Sequence, residues 1–218
     1  MLTGMILLSA FVVWTIMILL IDVQKAGPKG TEVGFATLNV WVHQITGEHM
    51  LLYTISDWLG LVPIAICMIF GMIGFIQLIK RRSLAKVDRD IVFLGVYYII
   101  VIMGYVLFEM VPVNYRPVLI DGRLEASYPS STTLLVLSVM PTLWFQAGRR
   151  ISVRMIKNVI NGFVIAFSLF MVLCRVIAGV HWLTDIVGSV LLSFGLYMLY
   201  NYAVTVHDSK TVSRDREI

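Results

Sequence analysis

Six runs of apolar residues, at about 5–21, 51–79, 91–111, 132–145, 159–173 and 183–204, restrict the possible folds of this chain more than any other feature. A hydrocarbon core of about 30 Å is crossed by about 20 helical residues at ~1.5 Å rise each. The fourth and fifth runs are short for a crossing. Their flanks complete one if Arg149, Arg150, Arg154 and Lys157 snorkel to the headgroups. Of the 218 residues 59% are hydrophobic and 14% charged, against the roughly 45–50% apolar content of an ordinary soluble domain. The expectation is an all-α, polytopic integral membrane bundle of six transmembrane helices over 1–207, with a polar cytoplasmic tail at 208–218. Residues Met1 to Gly4 carry no Lys or Arg ahead of the first run, which reads as a membrane helix rather than a cleaved leader.

Orientation follows from the basic clusters. Lys80, Arg81, Arg82, Lys86 and Arg89 follow the second run, Arg149, Arg150, Arg154 and Lys157 the fourth, and Lys210, Arg214 and Arg216 lie in the tail. Positive charge in short loops stays cytoplasmic, so both termini are expected inside and the alternate loops outside. The net charge of +4 is therefore a topology signal, and no nucleic-acid partner is implied. Cys67 and Cys174 have neither disulfide nor metal-ligand spacing. They read as packing residues. Between the first two runs, Ala26 to Gly30 reads as a turn. Phe35, Leu38, Val42 and Ile45 then recur at helical spacing beside Trp41, which fits an interfacial helix or a connecting helix packed on the bundle.

Three segments in the outward loops carry chemistry: Asn114-Tyr115-Arg116-Pro117, Tyr128 to Thr133, and Cys174-Arg175 followed by His181 and Asp185. None was used to draw the topology, so their meeting on one face argues independently for a site. His181 and Asp185, one helical turn apart, share a face. A carboxylate there takes one imidazole nitrogen and leaves the other as nucleophile or base; a structural pair fixing helix packing is the alternative. Arg116 and Arg175 present guanidinium forks suited to a tetrahedral oxyanion, although each alone reads equally as a headgroup anchor. Ser130 and Ser131 precede a helix, where hydroxyls and first-turn N–H groups cradle phosphate or, more plainly, cap the helix.

These motifs resemble those of the type-2 phosphatidic acid phosphatase superfamily of membrane lipid phosphatases. The third signature, Ser-Arg, five residues, His, three residues, Asp, is matched by Cys174-Arg175, His181 and Asp185. The second, Pro-Ser-Gly-His, stands as Pro129-Ser130-Ser131-Thr132, and the first, Lys, six residues, Arg-Pro, as Glu109 with Arg116-Pro117. The resemblance implies a metal-independent enzyme with no cofactor, and with the orientation read from the basic clusters it is expected at the outer face of a bacterial cytoplasmic membrane. In it His181 attacks phosphorus to form a phosphohistidine, Asp185 orients it, and Arg116, Arg175 and the Ser130–Ser131 turn stabilise the phosphoryl group.

Two departures alter that expectation. Thr132 stands where the family has its general acid and supplies no proton near neutral pH, so a contribution of about 10²–10⁴ is missing. An alkoxide leaving group, with a conjugate acid comparable to water at ~15.7, suffers most. A phosphate, with pKa near ~6, departs without help. A lipid pyrophosphate such as undecaprenyl pyrophosphate is the expected substrate. Glu109 replaces a phosphate-binding lysine, and reads as a substitute acid or as half of a structural Glu/Arg pair. A non-catalytic lipid-phosphate binder and a lipid phosphotransferase are the alternatives, and a transporter is disfavoured because the ionisable groups collect at the outer helix ends. Oligomeric state is left open.

Overall fold

The computed structural model describes the backbone of residues 1–216 and the side chains of residues 1–209. Within the tail expected at 208–218 the backbone continues α8 to Arg216, while its side chains beyond residue 209 and its last two residues lie outside the described residues. The helices are α1 (Leu2–Leu20), α2 (Ala36–Thr46), α3 (Met50–Leu59), α4 (Leu61–Arg81), α5 (Arg89–Met110), α6 (Ser131–Arg150), α7 (Arg154–Ile177) and α8 (Leu183–Arg216). Among the described residues the only extended pairings are isolated bridges, such as Tyr115 with Ala126. The protein is an all-helical bundle.

Five stretches, Leu2–Leu20, Met50–Arg81, Arg89–Met110, Arg154–Ile177 and Leu183–Ser209, are long and apolar enough to cross a membrane. Large apolar side chains point outward along them, including Met68, Met103, Met155 and Val159. In water such a surface would be an aggregation liability; in lipid it is the solvated face. α6 differs. Its 20 residues match a crossing in length, but Thr132, Thr133, Ser138, Thr142 and Gln146 lower its hydropathy, and all five are buried. It packs on α7 and α8 and touches α4 and α5, so protein rather than lipid surrounds its polar groups. Two of these polar side chains bond across the bundle: Tyr98 and Thr142 share a 2.7 Å hydrogen bond, and Gln146 donates to the Tyr200 hydroxyl at 2.9 Å.

The second apolar run is not one helix. It breaks at Gly60 into α3 and α4. Pro63 lacks the N–H that would bond the Leu59 carbonyl, and its ring crowds that carbonyl. The break lets α3 leave the axis of α4 and pack on α7. It thereby brings Tyr53 and Asp57 beside Arg175, a consequence absent from the sequence reading. α2 occupies the helix expected around Phe35 to Ile45. It turns Asn39 inward, leaves Trp41 and Ile45 exposed, and touches α8.

Candidate active site

The antiparallel course of α5 to α8 brings the end of α5, the 111–130 connection, the start of α6, the end of α7 and the start of α8 to one end of the bundle. His181 lies in the turn between α7 and α8, and three sets of contacts hold that turn. The His49 N–H donates to the Ala178 carbonyl at 3.0 Å. Gly179 has φ +68°, and a Cβ there would overlap the Gly47 carbonyl oxygen at 1.9 Å, so only glycine fits. The Trp182 indole donates to the Tyr115 carbonyl at 2.8 Å.

Asp185 secures the start of α8. One of its oxygens accepts the Trp182 N–H at 2.9 Å, and the other accepts from Asn114 Nδ2 at 3.3 Å. A first-turn carboxylate reaching back to the N–H before the helix is the reciprocal arm of a capping box. On the opposite side Asn39 Nδ2 donates to the Thr184 hydroxyl at 2.9 Å, and Trp14 Nε1 donates to the Thr184 carbonyl at 3.1 Å. The 127–130 segment is seated by Tyr128, whose ring fills the space a side chain at position 188 would need. A Cβ on Gly188 would lie 2.4 Å from that ring.

Within this frame His181 Nδ1 is 3.1 Å from the Ser127 carbonyl. A carbonyl only accepts, so Nδ1 carries the proton and Nε2 keeps its lone pair. Nε2 is buried and has no protein partner. Asp185 Oδ2 is 3.7 Å from Nδ1, near enough to act on a charge there and too far for a hydrogen bond. Burial holds the His181 pKa down at about 4; Asp185 opposes the depression, and the Arg116 and Arg175 charges add to it. The imidazole is neutral at physiological pH.

The two arginines lie over one ring, Tyr53, with guanidinium carbons 5.8 Å and 5.1 Å from its centroid. Arg175 Nη2 donates to Asp57 at 3.1 Å and also to the Thr132 hydroxyl, while its Nε and Nη1 are buried without a protein partner. Arg116 Nε lies 3.1 Å from a Glu125 oxygen at an angle that makes no hydrogen bond, and its Nε and Nη1 are likewise unpartnered. Leaving a buried donor unmade costs on the order of 1–3 kcal/mol, more when it is charged. The unpartnered guanidinium atoms, with His181 Nε2 and Ser127 Oγ, thus raise the free energy of the folded chain for no packing gain. The donors suit an anion, and the Nε2 lone pair suits an electrophilic centre within it.

A cavity of about 270 Å³ opens here, lined by Arg116, His181, Ser127, Ser131, Glu109 and Glu125 among others. An apolar groove of about 320 Å³ between α4, α5 and α6 adjoins it and shares Tyr105 and Ser131 with it. The eight residues singled out from sequence gather at this end, with different surroundings. Ser131 lines the cavity, whereas Ser130 is fully buried and its hydroxyl donates to Thr133 at 3.1 Å. Thr132 serves Arg175 and lines the groove. Glu109 lines the cavity but forms no Glu/Arg pair among the described residues; the carboxylate beside Arg116 is Glu125. Asp57, Tyr53, Ser127 and Asn39 were not singled out from sequence. An Asp and a Tyr one turn apart in an apolar run were the only legible hint.

A family model described as the PAP2 superfamily matches residues 64–208. No curated protein matches this chain. Among solved structures, the chain is similar to a transmembrane PAP2-type phosphatidylglycerolphosphate phosphatase from Bacillus subtilis. The two are 15% identical with a TM-score of 0.66, and the match covers 94% of this chain and 97% of the other.

Proposed function

Since the chain belongs to the PAP2 superfamily and has the fold of a membrane phosphatase, we propose that it hydrolyses a membrane lipid phosphate through a phosphohistidine on His181, at the outer face of a bacterial cytoplasmic membrane. The observation that carries this reading is the pairing of a neutral, partnerless His181 Nε2 with unpartnered Arg116 donors beside one cavity, with the unpartnered Arg175 donors next to Arg116 over the Tyr53 ring. Nε2 attacks phosphorus, the N–P bond forms, and the bond to the leaving oxygen breaks with its electron pair going to that oxygen. Water then attacks phosphorus and gives up a proton to solvent, and the N–P electrons return to Nε2. The guanidiniums and Ser131 meet the equatorial oxygens, where electrostatic stabilisation dominates phosphoryl transfer. Nδ1–H stays on the Ser127 carbonyl, and Asp185 stabilises the imidazolium charge that develops. The adjoining groove suits the lipid chain. The positions of the basic clusters support six crossings, with α6 as the fourth and both termini cytoplasmic.

Thr132 is bonded to Arg175 and has no proton to give at neutral pH. The leaving group must depart without one, which favours a lipid pyrophosphate, with undecaprenyl pyrophosphate as the family's example. The test is phosphate release by protein in micelles from a polyprenyl pyrophosphate and its matched monophosphate, with chelator present and His181→Ala as control. The pyrophosphate is expected to react at least about 10²-fold faster. Equal rates would sink the leaving-group argument, and release that persists in His181→Ala would sink the phosphohistidine.

A further inference from the structure

We propose that the groove between α6, α7 and α8 binds an anionic phospholipid of the leaflet farther from the candidate active site. The groove has a volume of about 680 Å³ and shares no residue with the active-site cavity, so the inference is independent of the chemistry performed there. Its lining changes along the bundle axis. Toward the site end it is apolar, with Leu137, Val172 and Val190, and toward the far end stand Trp144, Tyr197 and Asn201. Trp144 is exposed, and its indole N–H has no acceptor among the described residues. Indole and phenol rings take this position where a bilayer passes from hydrocarbon to headgroups.

Polar groups continue the groove past its far end. Arg154, Asn158, Asn161, Ile165, Ser168 and Val172 recur at steps of three or four residues, which puts them on one face of α7, and the last three line the groove. The side chains of Arg154, Asn158 and Asn161 have no ion pair or hydrogen bond among the described residues. Lys157 beside them donates to the Gly148 carbonyl at 3.1 Å, a neutral partner that leaves its charge unmatched. Arg149 and Arg150 do not contribute, since Asp208 and Asp90 hold them. Asn158 and Asn161 belong to a stretch long and apolar enough to cross a membrane, where an amide facing lipid without a partner is costly. From the far end inward the protein thus offers cations, then amides, then an indole and a phenol, then an apolar slot. A phospholipid with a net negative headgroup presents the matching order of phosphate, glycerol esters and acyl chain. A second copy of the α6–α7 hairpin does not. No Asp or Glu occurs between Glu125 and Asp185, so that hairpin would bring Arg154 and Lys157 only further cations.

The test is native mass spectrometry of the protein in mild detergent, titrated with phosphatidylserine and with phosphatidylcholine of the same acyl chains. Phosphatidylserine is expected to bind about tenfold tighter, the order that two basic side chains near an anionic headgroup supply. That preference should vanish in the double variant Arg154→Gln/Lys157→Gln and persist in Arg154→Lys/Lys157→Arg, which keeps both charges. Ser168→Phe, or Val172→Phe where the first does not fold, fills the slot without touching the cations and should weaken both lipids about fivefold. Equal binding of the two lipids, a preference that outlasts loss of both cations, or full-strength binding with the slot filled would each overturn the proposal. So would loss of a dimer on filling the slot with lipid binding unchanged, because that would assign the groove to a second copy.

Discussion

The two ends of the bundle handle charge in opposite ways. At the end far from the site the acids and bases of the ion pairs are matched, and all but the buried Asp90 are partly exposed. Arg81 donates to Asp88 at 2.7 Å, and Gln77 donates to the same carboxylate at 2.8 Å. Arg150 bonds Asp90 at 2.7 Å, and Arg149 bonds Asp208 at 2.6 Å. At the site end the guanidiniums are buried and each has two nitrogens without a partner. The first arrangement ties α4, α5, α6 and α8 together at little cost. The second holds donors in a geometry that only a ligand completes, which is how preorganised electrostatic sites are built. Position in the fold separates the two kinds of arginine, since residue type is the same.

Substitutions should separate the ends by the size and kind of their effects. His181→Ala is expected to reduce phosphate release to the level of protein-free micelles while leaving thermal unfolding in detergent within about 1 kcal/mol of wild type. A large stability loss without loss of release would reverse the comparison. Arg116→Ala should lower kcat/KM by about 10²–10³, as removal of one oxyanion donor does elsewhere; a change confined to melting temperature would make Arg116 a structural residue.

The His181 pKa gives a sharper criterion. With its folded pKa at about 4, below the ordinary 6.5, the folded protein refuses a proton that the unfolded chain accepts. Stability tied to this group is intact above pH 6.5 and falls by about 3 kcal/mol as pH drops from 6.5 towards 4. In ¹⁵N-histidine spectra the His181 ring should titrate near pH 4, and a midpoint near 6.5 would show an open, hydrated imidazole. Gly188→Ala presses a methyl into the Tyr128 ring. It should cost about 1–3 kcal/mol in unfolding, with a loss of activity as the 127–130 segment shifts. The smallest effect belongs to the far end: Arg81→Ala, on an ion pair with Asp88 that is exposed on both sides, should change stability by less than about 1 kcal/mol and activity not at all.

Much of this architecture was legible from the chain alone. Apolar run length governs membrane crossing because the bilayer has a fixed thickness, and the runs mark α1, α5, α7 and α8 to within a few residues, apart from the extension of α8. The gathering of Arg116, Ser131, Arg175, His181 and Asp185 at one end follows from alternation of antiparallel helices, which is a property of order and length. The break at Gly60 was carried by Pro63, a residue whose missing N–H is readable in any sequence, but its consequence was not. Only packing decided that α3 would swing Asp57 and Tyr53 onto Arg175.

Tertiary structure likewise decided that Glu125 rather than Glu109 would face Arg116, and that Ser127, through a backbone carbonyl whose identity no side chain encodes, would choose the tautomer of His181. It turned Ser130 away from the cavity and gave Asp185 to the start of α8. The sequence by itself determined which groups arrive at the site end of the bundle, because run length and chain order are local quantities. Which of those groups are matched and which are left unpartnered depends on distances of a few ångströms between segments far apart in the chain, and only the folded packing sets those.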